Sequence, residues 1–471
     1  MSYWSKGVPD IIMKTELHYY DVFPKVFPAG KEIEITVKPL GYHAEIIKNP
    51  EETVLYVLGI EDGHINDYPE RKNNKTAEFT VGDRGVIKFK WTFPKEQQYF
   101  LRFCDKESGK RLLQLCVYAL AEDLCGRYPF IGDLHMHTCR SDGRQCPEVV
   151  CANYRKHGYD FTVISDHHRY YPSLEAINAY KDVPIEFNIV PGEEVHMPKG
   201  PEVINDVHIV NFGGNYSVNA LLKERSHCEE VGEGKELRSF NGFDCPDTMT
   251  NEEYYEEIKA FAETLDIPEG IEKYTYASCV WIFNHIKKAQ GLGIFCHPYW
   301  ISNVYQVPDA FTDYMLKSAP FDAFEVLGGE NYYEQNGFQT QKYYEVRAQG
   351  YDFPIVGSTD SHSSLNNENA YVASTMVFAQ ENDKDVLIQA IKEKYSVAID
   401  GISEEKRLVG DLRLSKYAWF LLQEFFPLHD DLCYEEGRAM KDYCCGVEGA
   451  KETLEHISGR MKKQREKYFA F

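Results

Sequence analysis

Histidine and acidic side chains recur in short clusters between residues 133 and 362, and each cluster stands at or beside an apolar run. The candidate metal ligands are His135, His137, Asp142, His167, Glu194, His208, His297, Asp360 and His362. Imidazole and carboxylate groups together suit borderline divalent metals such as zinc, manganese or iron. Because one ion takes about four such ligands, the set predicts two or three metal ions and hydrolytic chemistry.

The spacing within two of the clusters places pairs of ligands on one side of the chain. His135 and His137 are two residues apart, and Asp360 and His362 repeat this spacing. On a strand, residues two apart point to the same side, so each pair can reach one ion. Either pair alone is a weak signal, and Asp142 before a glycine is also typical of a simple turn. The joint occurrence of the clusters favours a metal site.

Neighbouring acids and histidines leave several assignments open. Glu193 and Glu194 are adjacent, and only one of them is expected to face the metals. A carboxylate in this position is well suited to bridge two ions. His196 and His227 lie near the clusters in sequence, and both are left undecided between a ligand and an ordinary residue.

Residues beside the predicted ligands could assist the reaction. Asp166 could orient an imidazole by accepting its second N–H. His168 could be a ligand, a proton donor to the leaving group or an ordinary surface residue. Three arginines could clamp a phosphate, although each also fits a plain surface position: Arg140, Arg144 and Arg169.

Short apolar runs alternate with helix-like stretches from residue 130 onward. The runs cover residues 130–134, 161–165, 187–190, 207–212, 292–296, 321–326 and 354–358. Helix-like segments at 147–157, 276–289 and 332–349 fall between some of them. This alternation predicts a parallel sheet, and most clusters fall at C-terminal strand ends, where β/α barrels gather their chemistry. The sequence therefore predicts a closed or distorted barrel with a site at one mouth.

Two flanking regions and one insertion complete the predicted organisation. Residues 1–125 contain alternating stretches, for example at 31–38 and 86–93, which predict a small all-β sandwich domain. The barrel is expected to span residues 126–371, with an insertion at 213–274 that is either a lid or a structural insert. Residues 372–471 are expected to form a mainly helical C-terminal extension that packs on the barrel.

The composition of the 471 residues excludes some classes of function. With 43% hydrophobic and 27% charged residues, the chain is typical of a globular protein. A net charge of −23 argues against non-specific binding of nucleic acid, which needs clustered cations. No apolar run reaches the length of a membrane span, and the first residues lack the pattern of a signal peptide. The 13 cysteines are therefore expected to be reduced thiols in a cytoplasmic protein.

The clusters together resemble the motifs of the polymerase-and-histidinol-phosphatase (PHP) superfamily of metal-dependent hydrolases. The matching motifs are Asp133-Leu-His135-Met-His137, Asp166-His167, Pro191-Gly-Glu-Glu194, His208, His297-Pro298 and Asp360-Ser-His362. This resemblance implies a distorted (β/α)7 barrel that commonly holds three metals. The β domain before the barrel is similar to the branch that includes a carbamate-insecticide hydrolase.

The resemblance also implies how the ligands are shared among the ions. One ion would be held by His135, His137, Glu194 and Asp360. Glu194 would bridge to a second ion, which is completed by His208 and His297. The third ion would be held by Asp142, His167 and His362.

These expectations favour a phosphoesterase whose substrate is a small phosphate monoester or diester. Hydroxide bridging the metals would attack phosphorus, and the cationic site would attract the anionic substrate. One alternative keeps the metals but hydrolyses a carboxylic ester, a lactone or a carbamate. A second alternative is a non-catalytic binding protein, which the loss of a ligand would favour. No nucleic-acid or membrane partner is expected.

Overall fold

The computed structural model describes residues 19–47, 49–62, 75–200, 206–225, 238–301, 303–328, 333–365, 370–402 and 406–471. The chain divides into two compact units. Unit 1 comprises Met1–Arg127, Lys416–Leu432 and Gly459–Phe471, and unit 2 comprises Tyr128–Ser415 and Cys433–Ser458. The described residues form a mixed α/β structure with several sheets.

Unit 1 is built from two mainly antiparallel sheets. Its strands are β1 (Tyr20–Phe23), β2 (Val26–Pro28), β3 (Glu32–Pro39), β4 (Thr53–Gly59), β5 (Lys75–Ala77), β6 (Phe79–Val81), β7 (Ile87–Thr92), β8 (Gln97–Asp105) and β9 (Arg111–Leu120). One sheet has the order β1-β3-β7-β6, and the other has the order β2-β9-β8-β4-β5. Side chains of both sheets, among them Val37, Phe89, Leu101 and Val117, share one buried apolar core. The alternating stretches of the sequence are therefore strands, as predicted.

Unit 2 contains the strands beside which the ligand clusters lie. They are β10 (Tyr128–Asp133), β11 (Phe161–Val163), β12 (Asn188–Val190), β13 (Gly192–Val195), β14 (Ile209–Phe212), β15 (Leu292–Phe295), β16 (Ala323–Leu327), β17 (Ile355–Gly357), β18 (Ala373–Ala379), β19 (Ser396–Asp400) and β20 (Arg407–Val409). One sheet has the order β12-β11-β10-β18-β19-β20, and the other has the order β13-β14-β15-β16-β17. Each apolar run predicted as a strand overlaps one, and β13 is an additional strand.

Strand direction in unit 2 is mixed. β10, β11 and β12 pair in parallel, and so do β15, β16 and β17. β14 runs antiparallel to both of its neighbours, so the prediction of a parallel sheet is wrong at this strand. A parallel crossover is usually helical, and none of the described helices lies between β13 and β14. The antiparallel pairing of β13 with β14 is compatible with such a connection.

The helices fall largely where the sequence predicts them. They are α1 (Pro147–Lys156), α2 (Tyr171–Ala179), α3 (Asn251–Ala262), α4 (Lys273–Lys288), α5 (Asp309–Ser318), α6 (Tyr333–Ala348), α7 (Lys384–Lys392), α8 (Leu412–Glu424), α9 (Phe426–Cys444), α10 (Ala450–Ile457) and α11 (Arg460–Tyr468). Among the described residues, none of these helices has the length and apolarity needed to cross a bilayer.

The insertion between β14 and β15 contains α3. This helix begins with a capping box, in which Thr250 and Glu253 satisfy each other's backbone N–H groups. Its Tyr254 hydroxyl lies 2.6 Å from the hydroxyl of Ser278 in α4, and the two helices pack together. The insertion is therefore integrated into unit 2 at this helix. His227, whose role the sequence leaves open, lies outside the described residues.

Three strands lie beyond the predicted barrel boundary at residue 371. β18 pairs antiparallel with β10, and the sheet continues through β19 to β20. The boundary therefore moves towards the C-terminus, because without β18 this edge of β10 would be unpaired. The helices that follow are not one extension, since Lys416–Leu432 and Gly459–Phe471 belong to unit 1 and Cys433–Ser458 belongs to unit 2.

Candidate metal centre

The predicted ligands converge at one end of the strands of unit 2. Most of them follow β10, β11, β15 and β17, and Glu194 lies within β13. His208 comes before its strand, because β14 is antiparallel and its first residue, Ile209, pairs with Phe295 at the end of β15. Side-chain contacts join all the predicted ligands into one cluster: His135, His137, Asp142, His167, Glu194, His208, His297, Asp360 and His362.

Glu194 is the central carboxylate of this cluster, and it is fully buried. Its Oε1 lies 2.6 Å from Nδ1 of His208, and its Oε2 lies 2.6 Å from Nδ1 of His167. Further imidazole nitrogens approach Oε2 at 3.7, 3.6 and 3.4 Å, and they belong to His135, His137 and His196. The two oxygens thus face different imidazoles, an arrangement that allows one carboxylate to serve two ions.

Asp360 is a second point at which imidazoles meet a carboxylate. Its Oδ1 lies 2.9 Å from Nε2 of His137 and 3.2 Å from Nε2 of His135. Its Oδ2 lies 3.5 Å from Nε2 of His297. The backbone φ of Asp360 is 52°, in the left-handed region that residues other than glycine rarely adopt. Such backbone strain concentrates at functional sites.

Asp142 is a third meeting point, and it is more exposed than the others. Its Oδ2 lies 3.4 Å from Nε2 of His167 and 3.3 Å from Nε2 of His362. Its Oδ1 lies 4.0 Å from Nδ1 of His137. The Asp142 side chain is 54% exposed, whereas that of Glu194 is 0% exposed. The cluster therefore opens to solvent on the Asp142 side.

Burial and close contact set the protonation of the cluster. Burial opposes ionisation of Glu194, but His208 and His196 outweigh it and hold the pKa of this carboxyl well below its usual range. Burial lowers the pKa of His297. Burial also acts on His167, but its close contacts with the carboxylates of Asp142 and Glu194 outweigh burial and raise its pKa to about 10. The carboxylates favour nearby positive charge, but closely packed imidazoles repel one another when several of them are protonated.

Several buried nitrogen and oxygen atoms of the cluster lack hydrogen bonds within the described residues, as expected of atoms that bind metal ions. Within the described parts of the chain, no hydrogen bond reaches Nε2 of His135, Nδ1 of His137, Nε2 of His297 or either carboxylate oxygen of Glu194. One group of ligand atoms within 4.8 Å of one another is supplied by His137, Asp142, His167 and His362. Nitrogen and oxygen donors of this kind suit zinc, manganese or iron.

Asp166 and His168, which flank the predicted ligand His167, have specific surroundings. The Asp166 carboxylate accepts hydrogen bonds from the backbone N–H and hydroxyl of Thr138 at 2.9 and 2.7 Å, and from the Ser141 hydroxyl at 2.5 Å. It therefore orders this loop, which differs from the imidazole contact that the sequence suggests. His168 is exposed, with a left-handed backbone φ of 62°.

The three predicted phosphate-binding arginines differ in their contacts. Arg140 forms a two-pronged ion pair with Glu175, with N–O distances of 2.8 and 2.6 Å. Arg169 donates a hydrogen bond to the carbonyl oxygen of Arg140. Arg144 is exposed, and its backbone N–H donates to the carbonyl of His362 at 3.0 Å. The backbone of Arg144 is thus placed beside a candidate ligand, and the guanidinium of Arg140 is held by Glu175.

Two residues outside the predicted ligand set belong to the cluster. Oε2 of Glu325 lies 2.9 Å from Nδ1 of His135, and Nε2 of His196 lies 2.9 Å from Nδ1 of His167. A lone acid inside the otherwise apolar strand β16 is the sequence signal for Glu325. The two-residue spacing from Glu194, which places both side chains on one face of an extended segment, is the signal for His196.

Comparisons with solved structures give similarities at low sequence identity. A two-domain protein from Bacteroides vulgatus containing a predicted PHP-like metal-dependent phosphoesterase is 16% identical, with a TM-score of 0.37, covering 58% of this chain and 65% of that chain. A protein from Bifidobacterium adolescentis, described as a candidate metal-dependent phosphoesterase, is 19% identical, with a TM-score of 0.32, covering 55% and 94%. An amidohydrolase from Chromobacterium violaceum, with bound sulfate and no metal, is 17% identical, with a TM-score of 0.29, covering 49% and 87%.

These similarities do not establish a family. This chain spans less than two thirds of the length of the Bacteroides protein, and the TM-scores lie below 0.5. A scan against protein-family models and a search of curated proteins each give no match. The function is therefore inferred from the geometry of the cluster itself.

Proposed function

We propose that this protein is a metal-dependent hydrolase of the PHP type that cleaves a small phosphate monoester or diester. The observation that supports this most strongly is the position of Glu194, whose two oxygens face different imidazoles. Burying carboxylates in this way costs free energy unless cations compensate them. Two or three divalent ions would provide that compensation.

The proposed ligand sets combine the observed contacts with the motif pattern. One ion would be held by His135, His137, Glu194 and Asp360. Glu194 would be shared with a second ion, held also by His208 and His297. A third ion would be held by Asp142, His167 and His362. When bound, divalent ions supply Lewis acidity and make water nucleophilic near neutral pH.

A small anionic substrate suits the charge balance of this site. Three divalent ions would carry about six positive charges, and the three ligand carboxylates would return about three negative ones. Arg144, exposed beside His362, is proposed to bind a phosphate oxygen. His168, exposed beside the ligand His167, is proposed to hold the proton that the leaving group receives.

The proposal includes the finer architecture of both units. The strands β10–β12 and β14–β17, with the helices between them, would form the distorted (β/α)7 barrel of PHP proteins, and β14 would run in the opposite direction to its neighbours. The parallel pairs on both sides of that strand support this arrangement. The two sheets of unit 1 would form a β-sandwich, which their common apolar core supports.

The test compares metal-free and metal-loaded protein on two classes of ester. Protein stripped by a chelator would be reloaded with zinc, manganese or iron and assayed with 4-nitrophenyl phosphate, bis(4-nitrophenyl) phosphate and 4-nitrophenyl acetate. We expect metal-dependent hydrolysis of a phosphate ester that Asp360→Asn abolishes. If the protein hydrolysed only 4-nitrophenyl acetate, its substrate would be a carboxylic ester and not a phosphate ester. Full phosphatase activity in the metal-free protein would overturn the proposal.

A further inference from the structure

A buried carboxylate lies behind the imidazole of His135. Glu325 is fully buried in β16, where the other residues are apolar. Its Oε2 lies 2.9 Å from Nδ1 of His135. A carboxylate oxygen can only accept, so this contact requires the proton of the ring to be on Nδ1. The lone pair of Nε2 is then free to point into the cluster.

The two ring nitrogens of His135 face opposite surroundings. Nε2 lies 3.2 Å from Asp360 and 3.7 Å from Glu194, whereas Nδ1 faces Glu325. Because Nδ1 and Nε2 lie on different edges of the ring, the imidazole stands between Glu325 and the other two acids. Glu325 is therefore placed to act through His135, on the opposite edge of the ring from Asp360.

His297 has a matching arrangement with a neutral partner. Its Nδ1 lies 3.1 Å from Oε1 of Gln306, and its Nε2 lies 3.5 Å from Oδ2 of Asp360. The rings of His135 and His297 stack, with centroids 5.4 Å apart and planes at 24°. Two neighbouring imidazoles thus present Nε2 to the same acid, one backed by a carboxylate and the other by an amide.

We propose that Glu325 is a positioning residue that fixes the orientation and tautomer of His135 and strengthens Nε2 as a metal donor. Gln306 fixes the ring of His297 without adding charge. This inference rests on the proposed metal-dependent function. Hydrogen-bonded partners of this kind hold metal-ligating histidines in place, and their loss typically weakens metal binding about 10–100-fold.

The test measures metal affinity in Glu325→Gln, which keeps the shape of the side chain and removes its charge. Dissociation constants for Co²⁺ would be measured by competition with a chromophoric chelator. We expect the ion held by His135 to bind about 10–100-fold more weakly in Glu325→Gln. The number of ions bound at saturation should stay the same. The visible absorption of bound Co²⁺ should shift, because the donor strength of one ligand changes. Glu325→Asp should give a smaller effect in the same direction.

Glu436→Gln is the matched control, because Glu436 is a buried carboxylate that pairs with Arg155 at 2.5 Å, away from the cluster. It should lower thermal stability without changing the Co²⁺ affinity. An unchanged affinity and spectrum in Glu325→Gln would overturn the inference, and so would the loss of one ion at saturation, which would make Glu325 a ligand. Failure of the unsubstituted protein to bind Co²⁺ would instead refute the proposed function. If Glu325→Gln does not fold, the Co²⁺ affinity and the absorption spectrum of Glu325→Asp decide the question.

Discussion

Glu193 and Glu194 are consecutive buried carboxylates of β13 that meet opposite surroundings. Glu194 faces imidazoles, with His208 and His167 each at 2.6 Å. Glu193 instead accepts hydrogen bonds from the Ser217 hydroxyl at 2.6 Å and from amide groups of the segment that follows β14. The alternation of a strand therefore separates a structural acid from a candidate metal ligand.

This separation predicts different outcomes for two neighbouring substitutions. Glu194→Gln should remove most of the bound metal and lower phosphatase activity by at least about a hundredfold, because a ligand should matter at least as much as its supporting partners. Glu193→Gln should retain the metal but destabilise the protein by about 1–3 kcal/mol, because it places an amide where several donors converge. Metal analysis by mass spectrometry and urea unfolding check the two results. Equal metal loss in both variants would contradict the assignment.

Gly143 predicts a selective effect on the exposed part of the cluster. A Cβ at this position would lie 2.7 Å from the backbone carbonyl of His137, so Gly143→Ala must displace the loop that carries Asp142. We expect the ion at Asp142 to bind at least about tenfold more weakly, with an overpacking cost of about 1–3 kcal/mol. Titration with Zn²⁺ at controlled free concentration measures this.

The control for this substitution is Gly337→Ala in α6, where an added Cβ would have no atom of the described residues within 4 Å. It should leave metal binding unchanged and stabilise the helix by about 1 kcal/mol. If Gly143→Ala kept the full number of ions at the same affinity, Asp142 would not be a ligand.

The contacts of the arginines predict which of them affects substrate binding. Arg144→Ala should raise the KM for phosphate esters about tenfold or more, because a charge-assisted hydrogen bond is worth about 1.5–3 kcal/mol. Arg140→Ala should change KM much less, because its guanidinium is held by Glu175. Steady-state kinetics with equal metal loading separate KM from kcat. A larger KM effect at Arg140 would reverse this ranking.

Two buried residues of opposite charge in unit 1, Lys25 and Glu424, predict an unusual dependence of stability on pH. Burial lowers the pKa of Lys25 to about 8 and raises that of Glu424 to about 7, although each charge partly offsets the effect on the other. The folded state therefore binds an extra proton at Glu424 between pH 4.5 and 7, and the free energy of unfolding falls across that window. The unfolded state binds an extra proton at Lys25 between pH 8 and 10.5, and the free energy of unfolding rises there.

The contribution of this pair should thus be smallest near pH 7–8. Glu424→Leu alone should cost about 3–5 kcal/mol at that pH, because it leaves a buried ammonium uncompensated. The double substitution Lys25→Met with Glu424→Leu should recover this loss and remove the minimum. Urea unfolding at pH 5, 7.5 and 9.5 checks both expectations, and a flat profile in the unsubstituted protein would contradict them.

The convergence of these side chains can be predicted from the sequence because strand ends and residue types are local features. His135 and His137 share a side through the two-residue period, and the apolar strand before them fixes where they stand. Glu193 and Glu194 show the limit of this reasoning, since the alternation separates them without indicating which one faces the cluster. The motif resemblance selects Glu194, and the structure places Glu194 among the imidazoles.

Features that depend on long-range strand pairing cannot be predicted from local sequence patterns. The reversed direction of β14 arises from its hydrogen bonds with β13 and β15, so the position of His208 before its strand is not visible locally. Glu325 lies in a run that is otherwise typical of a buried strand. Its contact with His135, at 2.9 Å, depends on the fold and is not visible in the sequence. The pairing of β18 with β10 likewise joins segments separated by more than two hundred residues.

The most direct test of the central claim is anomalous X-ray diffraction from crystals of the protein reconstituted with Zn²⁺. The proposal predicts two or three anomalous peaks within the cluster, with the two carboxylate oxygens of Glu194 contacting different ions at about 2.0–2.2 Å. A single peak, or peaks that leave Glu194 without a metal contact, would contradict it.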